Sequence, residues 1–556
     1  MSEDFLCEAN NSAINIRSQV LHFITTILKS MGWKLDEYNL IDNSIVVDNE
    51  NFASREMVDE LFVEVTKTNL QSVNSLNFEQ KVAFNLIMSK INNNESGGFF
   101  LDGPGGTGKT FLYCALLATI RSMNHVALAI ATVGIVASIL PGSCIAHSRF
   151  KIPIDSDDQL NCSVSKQSNL AELLRAAKII IWDRAFMAKR QAIEAFDNML
   201  RDLMDYQLLF GGKVVVFGGD FHQVLPVLPK ATLEQTKEAS LVKSKLWSEL
   251  KVLTLTQNMR LRFNASFTDY LLRVGNRIEP SITYNNIRTP ENILLPYDND
   301  EIFLNKLIDF VFPNIFTFDA NNDILINKAI LTPKNYYVDD LNEILIKKFP
   351  GEKIIYRSHD DNTAFDSLLL EEDFLNTLTP NGYPPNELVL KIGSPITLHR
   401  NIDPSKGLSN GTRLTCRTFD RNVIDAEIST GHHKRERVFI PRIPFLPNKI
   451  EKFSFPFKRV QFPIRLCFAI TINKAQGKIL DTVGVYLPEP VFSHGQLYVA
   501  LSQATSSRSI RVLIKLAKNN ATIMGCTPNI ICKDILELAH PNLCHHSYNL
   551  IVHAFF

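Results

Sequence analysis

Residues 103–110, Gly103-Pro104-Gly105-Gly106-Thr107-Gly108-Lys109-Thr110, follow the spacing G-x-x-x-x-G-K-[ST]. That spacing builds a phosphate cradle. Glycines let backbone N–H groups turn inward, the lysine reaches the β- and γ-phosphate oxygens, and the threonine hydroxyl ligates Mg²⁺. Phe99-Phe100-Leu101 ahead of the loop reads as a buried strand. The run 111–117 behind it opens a helix, whose N-terminus favours anions. Strand, glycine loop and helix together predict a site for ATP and Mg²⁺, with Lys109 on the phosphates and Thr110 on the metal.

Three further segments supply groups that such a site needs. Ile179-Ile180-Ile181-Trp182-Asp183 is an apolar strand ending in a carboxylate, the arrangement that shares Mg²⁺ with the loop hydroxyl. Taken alone, Asp183 also reads as a helix cap or turn residue. Gly218-Gly219-Asp220-Phe221-His222-Gln223 follows the strand 214–217 and offers Gln223 to sense the γ-phosphate through water. Leu255-Thr256-Gln257-Asn258-Met259-Arg260 offers an arginine, Arg260, to neutralise transition-state charge. Each segment is weak by itself. Their order and spacing after a P-loop give them weight.

Such groups need a scaffold, and the chain from Leu76 onward has an α/β texture. The runs 126–130, 178–182 and 213–217 read as parallel strands ending in polar loops, where an α/β sheet places its ligands. A second α/β unit shows at 329–332, 466–471 and 483–487, and between the units residues 353–463 read as a β-rich insertion. The stretch 391–465 carries 15 Lys/Arg against 6 Asp/Glu, a surplus of 9 in a chain whose net charge is zero. A basic module of this kind is the electrostatic footprint of a nucleic acid, although a solvated, loop-rich face accounts for it equally well. At the N-terminus Ile14, Val20, Leu21, Ile24, Ile27 and Leu28 recur at helical spacing, before a polar stretch over 42–51.

The whole chain, 556 residues, suits several domains; its 45% apolar and 21% charged residues are those of a soluble globular protein. Nine cysteines without paired short spacings argue against a disulfide framework and for a reducing compartment. Met1-Ser2-Glu3-Asp4 lacks the basic start of a signal peptide, and the longest apolar run, 126–140, is too short to span a bilayer. An intracellular, soluble protein is expected.

With these motifs in order, the chain resembles the superfamily 1, 5′-to-3′ DNA helicases of the petite-integration-frequency (PIF) type, and within them the branch carried by plant Helitron transposons. The resemblance runs over about 76–513. It rests on Leu76-Asn77-Phe78-Glu79-Gln80, 99–110, Thr132-Val133-Gly134-Ile135-Val136-Ala137, Ala146-His147-Ser148-Arg149-Phe150, 218–229, 258–261 and Ile330-Leu331-Thr332-Pro333-Lys334-Asn335. Further matches are 407–414, Ala469-Ile470-Thr471-Ile472-Asn473-Lys474-Ala475-Gln476-Gly477 and 492–502. It implies two RecA-like lobes with ATP between them, single-stranded DNA across their tops, and an SH3-like insertion. The implied division is 1–70 helical segment and linker, 71–262 first lobe, 263–350 and 464–520 second lobe, 351–463 basic insertion, and 521–556 tail. Gln80 then matches the adenine-reading position, while Thr132, His147, Ser148, Lys474 and Gln476 match strand contacts. The implied partners are single-stranded and forked DNA, the implied state a monomer in the nucleus or elsewhere inside the cell, and the implied processes DNA repair, recombination and telomere maintenance.

Departures from the family pattern bear on the chemical step. The family has Asp-Glu-Ala-Pro-Met where this chain has Asp183-Arg184-Ala185-Phe186-Met187, which removes the general base. It has Leu-Ser-Arg where this chain has Leu501-Ser502-Gln503, which removes an arginine finger. It usually has Lys-Ser-Gln-Gly where this chain has Lys474-Ala475-Gln476-Gly477. An impaired, degenerate helicase that keeps nucleotide and DNA binding is therefore the alternative to a working motor. Glu194 and Asp220 are the nearby acids that would have to compensate. Cys526, Cys532, His540, Cys544, His545 and His546 fit no ordinary zinc spacing, so no metal is expected there. Phe453, Phe455, Phe457 and Phe462, interleaved with basic residues, suit base stacking, but their alternation favours a half-buried strand.

Overall fold

The computed structural model describes residues 55–540 except 64, 138, 154–159, 261–263, 284, 297–299, 314, 318–324, 326, 363–371, 379–381, 432, 447–456, 479 and 516–524. The helix expected within 14–28 lies outside the described residues. Of the N-terminal segment, the helices Arg55–Leu61 and Lys67–Gln71 are described.

Six strands form the first sheet: β1 Gly97–Asp102, β2 Ala127–Ala131, β3 Cys144–Ile145, β4 Ile179–Asp183, β5 Val214–Gly219 and β6 Lys251–Thr254. All pair in parallel, in the order β3-β2-β4-β5-β1-β6. Their sequences explain the burial. β4 and β5 are β-branched and aromatic runs without polar alternation, as strands covered on both faces require. Phe100, Ile180, Trp182, Val215 and Phe217 pack under one face with Phe196 and Phe210. Phe99, Leu101, Ile179, Ile181, Val214 and Val216 pack on the other with Leu116 and Ile120 of the helix Lys109–Ser122. Because the strands are parallel, the carboxyl ends of β1, β2, β4 and β5 share one edge. That edge receives Gly103, Thr132, Arg184 and Asp220.

A second parallel sheet runs Ala469–Thr471, Lys328–Thr332, Thr482–Leu487, Ile510–Ile514, Leu294–Leu295, again with an apolar core on each face. The two sheets and their helices are two RecA-like lobes. Between Lys328–Thr332 and Ala469–Thr471 the chain builds a five-stranded antiparallel sheet in the order Arg437–Pro441, Val423–Ile428, Arg413–Phe419, Pro395–Leu398, Ile464–Leu466. This insertion has its own core around Leu398, Leu414, Ile424 and Phe462. Ile464–Leu466 pairs within it, so the chain re-enters the second lobe's sheet only at Ala469. Phe462 is fully buried there, a core residue in the break between the strands Phe457–Gln461 and Ile464–Leu466 rather than part of a half-buried strand; Phe453 and Phe455 lie outside the described residues.

Part of the positive surplus is spent inside the insertion. Arg459 is fully buried and forked onto Asp360 at 2.6–3.0 Å. Arg413 donates to the carbonyls of Lys328 and Cys467 (3.0 and 2.9 Å), and Arg417 pairs with Glu427 (2.9 Å).

The C-terminal segment, read from sequence as a tail, is part of the folded body through residue 540. Cys526–Pro528 pairs antiparallel with Asn286–Arg288, and the helix Lys533–Ala539 sends Ile535, Leu536 and Ala539 into the first lobe's core. Apolar spacing over 531–539 permits this docking, but only tertiary structure shows what it docks on. No described helix is long and apolar enough to cross a membrane.

Candidate functional site

The P-loop leaves β1 and closes on itself. Thr107 is fully buried, and its hydroxyl donates to the Pro104 carbonyl (3.0 Å). Gly108 sits at φ 79° as the N-cap of Lys109–Ser122, against the Gln80 amide, where a side chain has no room. Lys109 curls over the loop, its ammonium donating to the carbonyls of Gly103 and Pro104. Burial pushes its pKa below the usual lysine range, against the pull of Asp220, Asp102 and Asp183. Gln80 belongs to a capping box: its Oε1 accepts from Asn77 N–H (3.0 Å), while its Nε2 donates to the Thr107 carbonyl (3.0 Å). It thus braces the loop.

The segment after β6 forms the opposite wall. Glu79 accepts from the N–H groups of Thr256 and Gln257 (2.8 and 3.3 Å). Asn258 Nδ2 donates to Gly105 O (3.1 Å), and Met259 N–H donates to Gly106 O (2.9 Å). Arg260 then reaches the second lobe, donating to the Ser502 carbonyl (3.2 Å). From that lobe Tyr498 reaches back. Its hydroxyl accepts from Gly105 N–H (3.3 Å) and lies 3.4 Å from Asp220 Oδ2. The P-loop therefore lies at the seam of the two lobes.

At the end of β4, Asp183 is buried and its Oδ1 accepts from the N–H of Arg184 (2.9 Å). Burial pushes the Asp183 pKa up. A cation beside it would favour the carboxylate. A threonine hydroxyl and one carboxylate are hard oxygen donors of the kind Mg²⁺ uses alongside substrate phosphates, so Thr110 and Asp183 fit as its protein ligands. Among the described residues no group of three or more His, Cys, Asp or Glu is placed to hold a metal. Cys544, His545 and His546 lie outside the described residues.

Arg184 stands in the left-handed region at φ 57°. Thr132 supports this turn, donating its hydroxyl to the Arg184 carbonyl (2.8 Å) while accepting from the Trp182 indole (3.0 Å). The Arg184 guanidinium carries two buried nitrogens, Nε and Nη1, without a hydrogen-bond partner. It lies against Gly477 of the second lobe. Gln503, the C-cap of the helix Gln496–Ser502, donates Nε2 to Val499 O (3.0 Å) and leaves a buried Oε1 unpartnered.

Asp220 is the acid closest in character to a substitute base, and its oxygens are committed. Oδ1 pairs with His222 Nδ1 (2.7 Å) and accepts from His222 N–H (3.1 Å); Oδ2 accepts from Gln223 Nε2 (2.8 Å). Although burial raises its pKa, His222 and Lys109 hold it down to about 2. His222 also faces Asn276 Oδ1 of the second lobe (2.9 Å) and stacks on His540. Behind the loop, Asp102 is pushed up to about 7 by burial and by Asp220. Glu194 is elsewhere, accepting from the Ser244 hydroxyl (2.6 Å).

The structure thus gathers Lys109, Asp183, Arg184, Asp220 with Gln223, and Arg260. Sequence reasoning missed Tyr498, Asp102 and Asn276, and weighed His540 only as a zinc ligand. Tyr498 lies inside the 492–502 motif, yet its reach to Gly105 depends on how the lobes meet. The remaining expected residues lie outside this cluster. His147 and exposed Ser148 sit on the short helix Ala146–Arg149 of the first lobe. Lys474 and Gln476 follow Ala469–Thr471 in the second; Lys474 is exposed, and Gln476 is buried with Nε2 unpartnered. Lys474 belongs to a cation cluster with Arg400, Arg465 and Lys478 around His399, whose pKa is driven well below the usual histidine value by burial and then by these four.

Residues 75–280 match the PIF1-like helicases, and residues 373–419 match the 2B domain of the DNA helicase Pif1. Over these residues the chain is similar to the PIF1-like helicases. It is 25% identical over 446 residues to the ATP-dependent DNA helicase PIF1 of Danio rerio, covering 79% of this chain and 61% of that protein. It is also 25% identical over 433 residues to the ATP-dependent DNA helicase Pif1 of Campylobacter jejuni, covering 74% of this chain and 88% of that one. A Bacteroides Pif1 solved with ssDNA shares the fold at TM-score 0.58 and 21% identity, over 85% of this chain and 98% of that one. A Pif1 structure at forked dsDNA, described as two coordinating helicases, gives TM-score 0.58 at 22% identity, over 84% and 97%. The chain spans 61% of the length of the first vertebrate relatives it matches.

Proposed function

We propose that this PIF1-like chain is an ATP- and single-stranded-DNA-binding protein of 5′-to-3′ helicase design whose chemical step is impaired. The observation that carries this reading is the P-loop at the lobe seam, contacted from the second lobe by Tyr498 and flanked by Arg184 where a base would stand. The P-loop with Lys109 takes the phosphates, Thr110 and Asp183 take Mg²⁺, and Arg260 adds positive charge. When bound, Mg²⁺ would neutralise charge on the β- and γ-phosphate oxygens. Movement of one lobe against the other would pass through the Arg260–Ser502 and Tyr498–Gly105 contacts. Single-stranded DNA, and the forked duplex of a helicase substrate, would meet Arg400, Arg465 and Lys474, with His147 and Ser148 on the first lobe; Lys478 beside them is buried, which takes its pKa down to about 7.

Lys109→Ala is expected to abolish binding of a fluorescent ATP analogue, because it removes the point charge that holds the phosphates. A variant that binds as tightly as the parent rules out the P-loop assignment.

The cation cluster makes DNA binding salt-dependent. If Arg400, Arg465 and Lys474 each neutralise one phosphate, the slope of log K against log salt is about −0.7 per contact, or about −2. Affinity for a single strand of any sequence should then fall about 20-fold as salt rises fourfold. A flat response, or no binding at low salt, removes the nucleic-acid reading.

A further inference from the structure

We propose that Arg184 is the residue by which this chain tells ATP from ADP, its guanidinium taking the terminal phosphate of a triphosphate held in the P-loop. This deepens, and rests on, the nucleotide reading of the site.

Arg184 leaves the end of β4 at φ 57°, a conformation that L side chains rarely adopt, with its carbonyl fixed by Thr132. The turn places its side chain near Asp183, Asp220 and Tyr113, with Lys109 and Arg260 as the neighbouring cations. Yet Nε and Nη1 are buried without a hydrogen-bond partner. Buried guanidinium groups ordinarily fork onto a carboxylate or phosphate, as Arg459 forks onto Asp360 in this same chain. Neither nearby carboxylate bonds the guanidinium: Asp183 Oδ1 accepts from the Arg184 N–H, and Asp220 holds His222 and Gln223. An unpaired, planar donor beside the P-loop lysine calls for an anion with several acceptor oxygens. The terminal phosphate of a triphosphate supplies them, and a diphosphate lacks that group.

The second lobe backs the same guanidinium. Gly477 packs so closely on it that a Cβ would collide with Nη2 and Cζ, and Gln476 beside it keeps a buried, unpartnered Nε2. Engagement of a terminal phosphate by Arg184 is therefore felt by the 474–477 segment, which also carries Lys474 of the cation cluster.

The test is equilibrium binding of fluorescent ATP and fluorescent ADP, each with Mg²⁺, to the full chain and to its variants. The parent should prefer ATP by about ten- to a hundredfold, the usual worth of a hydrogen bond to a charged group. Arg184→Ala should collapse that preference to near unity by weakening ATP while ADP affinity stays within about twofold. Arg184→Lys, which keeps the charge and loses the fork, should fall between. If Arg184→Ala does not fold, Arg184→Gln carries the same comparison with the volume filled. An unchanged ATP-to-ADP ratio, or an equal loss for both nucleotides, overturns the proposal. Lys109→Ala separates the two readings: it should lower both affinities, and if it lowers neither, the nucleotide site itself is misplaced.

Discussion

Arg184→Glu is expected to raise kcat for ATP, measured with saturating single-stranded DNA, by about 10²–10⁴-fold, the usual contribution of a positioned general base. The structure narrows the alternatives to this residue. Asp183 is turned onto its own following N–H, Asp220 is hydrogen-bonded on both oxygens and holds its charge to about pH 2, and Glu194 faces Ser244. A carboxylate with so low a pKa is a poor proton acceptor. Asp102, at about 7, has the basicity required, but it lies behind the loop against His540, 3.4 Å from Nδ1. A glutamate at 184 would stand on a turn that Thr132 already supports. The same substitution should cost ATP its preference over ADP, since the guanidinium goes with it. Adding Gln503→Arg should raise turnover further, by less than the roughly 10³–10⁵-fold of an arginine finger measured alone, because both groups act on one transition state. A parent that already turns over at about 10 s⁻¹, an ordinary enzyme rate, would show that another group supplies the base.

The chemistry-bearing residues were legible because their spacing is set by backbone geometry. A glycine loop between a buried strand and a helix has one use for Lys109, and apolar strands ending in Asp183 or running into Gly218-Gly219-Asp220 deliver those residues to a single sheet edge. The two-lobed α/β fold followed from the same strands. What could not be read is contact between distant segments. Nothing local distinguishes Tyr498 from its neighbours in Gln496–Ser502, and nothing marks Thr132 as a brace for Arg184. Charge counting overreached in the insertion for a related reason. The surplus over 391–465 treats Arg459 and Arg413 as surface cations, whereas both are buried, Arg459 on Asp360 and Arg413 on backbone carbonyls. The cations that gather around His399 come instead from both the insertion and the second lobe.

The C-terminal segment carries the second large effect: Ile535→Ala should destabilise the folded chain by about 2–5 kcal/mol, the range for truncating a buried isoleucine. Ile535 is fully buried in the first lobe's core, although the strand that precedes its helix, Cys526–Pro528, is paired with Asn286–Arg288 of the second lobe. Between those anchors the backbone is bonded into the seam. Ile530 O accepts from Gly495 N–H (2.9 Å), Ile531 O accepts from Arg277 (3.2 Å), and Cys532 N–H donates to His494 Nδ1 (2.8 Å). The other nitrogen of that ring lies 2.8 Å from the Phe221 carbonyl of the first lobe, so His494 is held neutral; burial takes its pKa down to about 4. One strap thus ties both lobes next to Asp220 and His222. Losing the Ile535 side chain opens a cavity under the strap and loosens its grip on His540, whose ring stacks on His222. Thermal and urea unfolding of the full chain would register the loss as a lower Tm and a lower urea midpoint. Identical curves for Ile535→Ala and the parent would mean that the segment does not dock in solution.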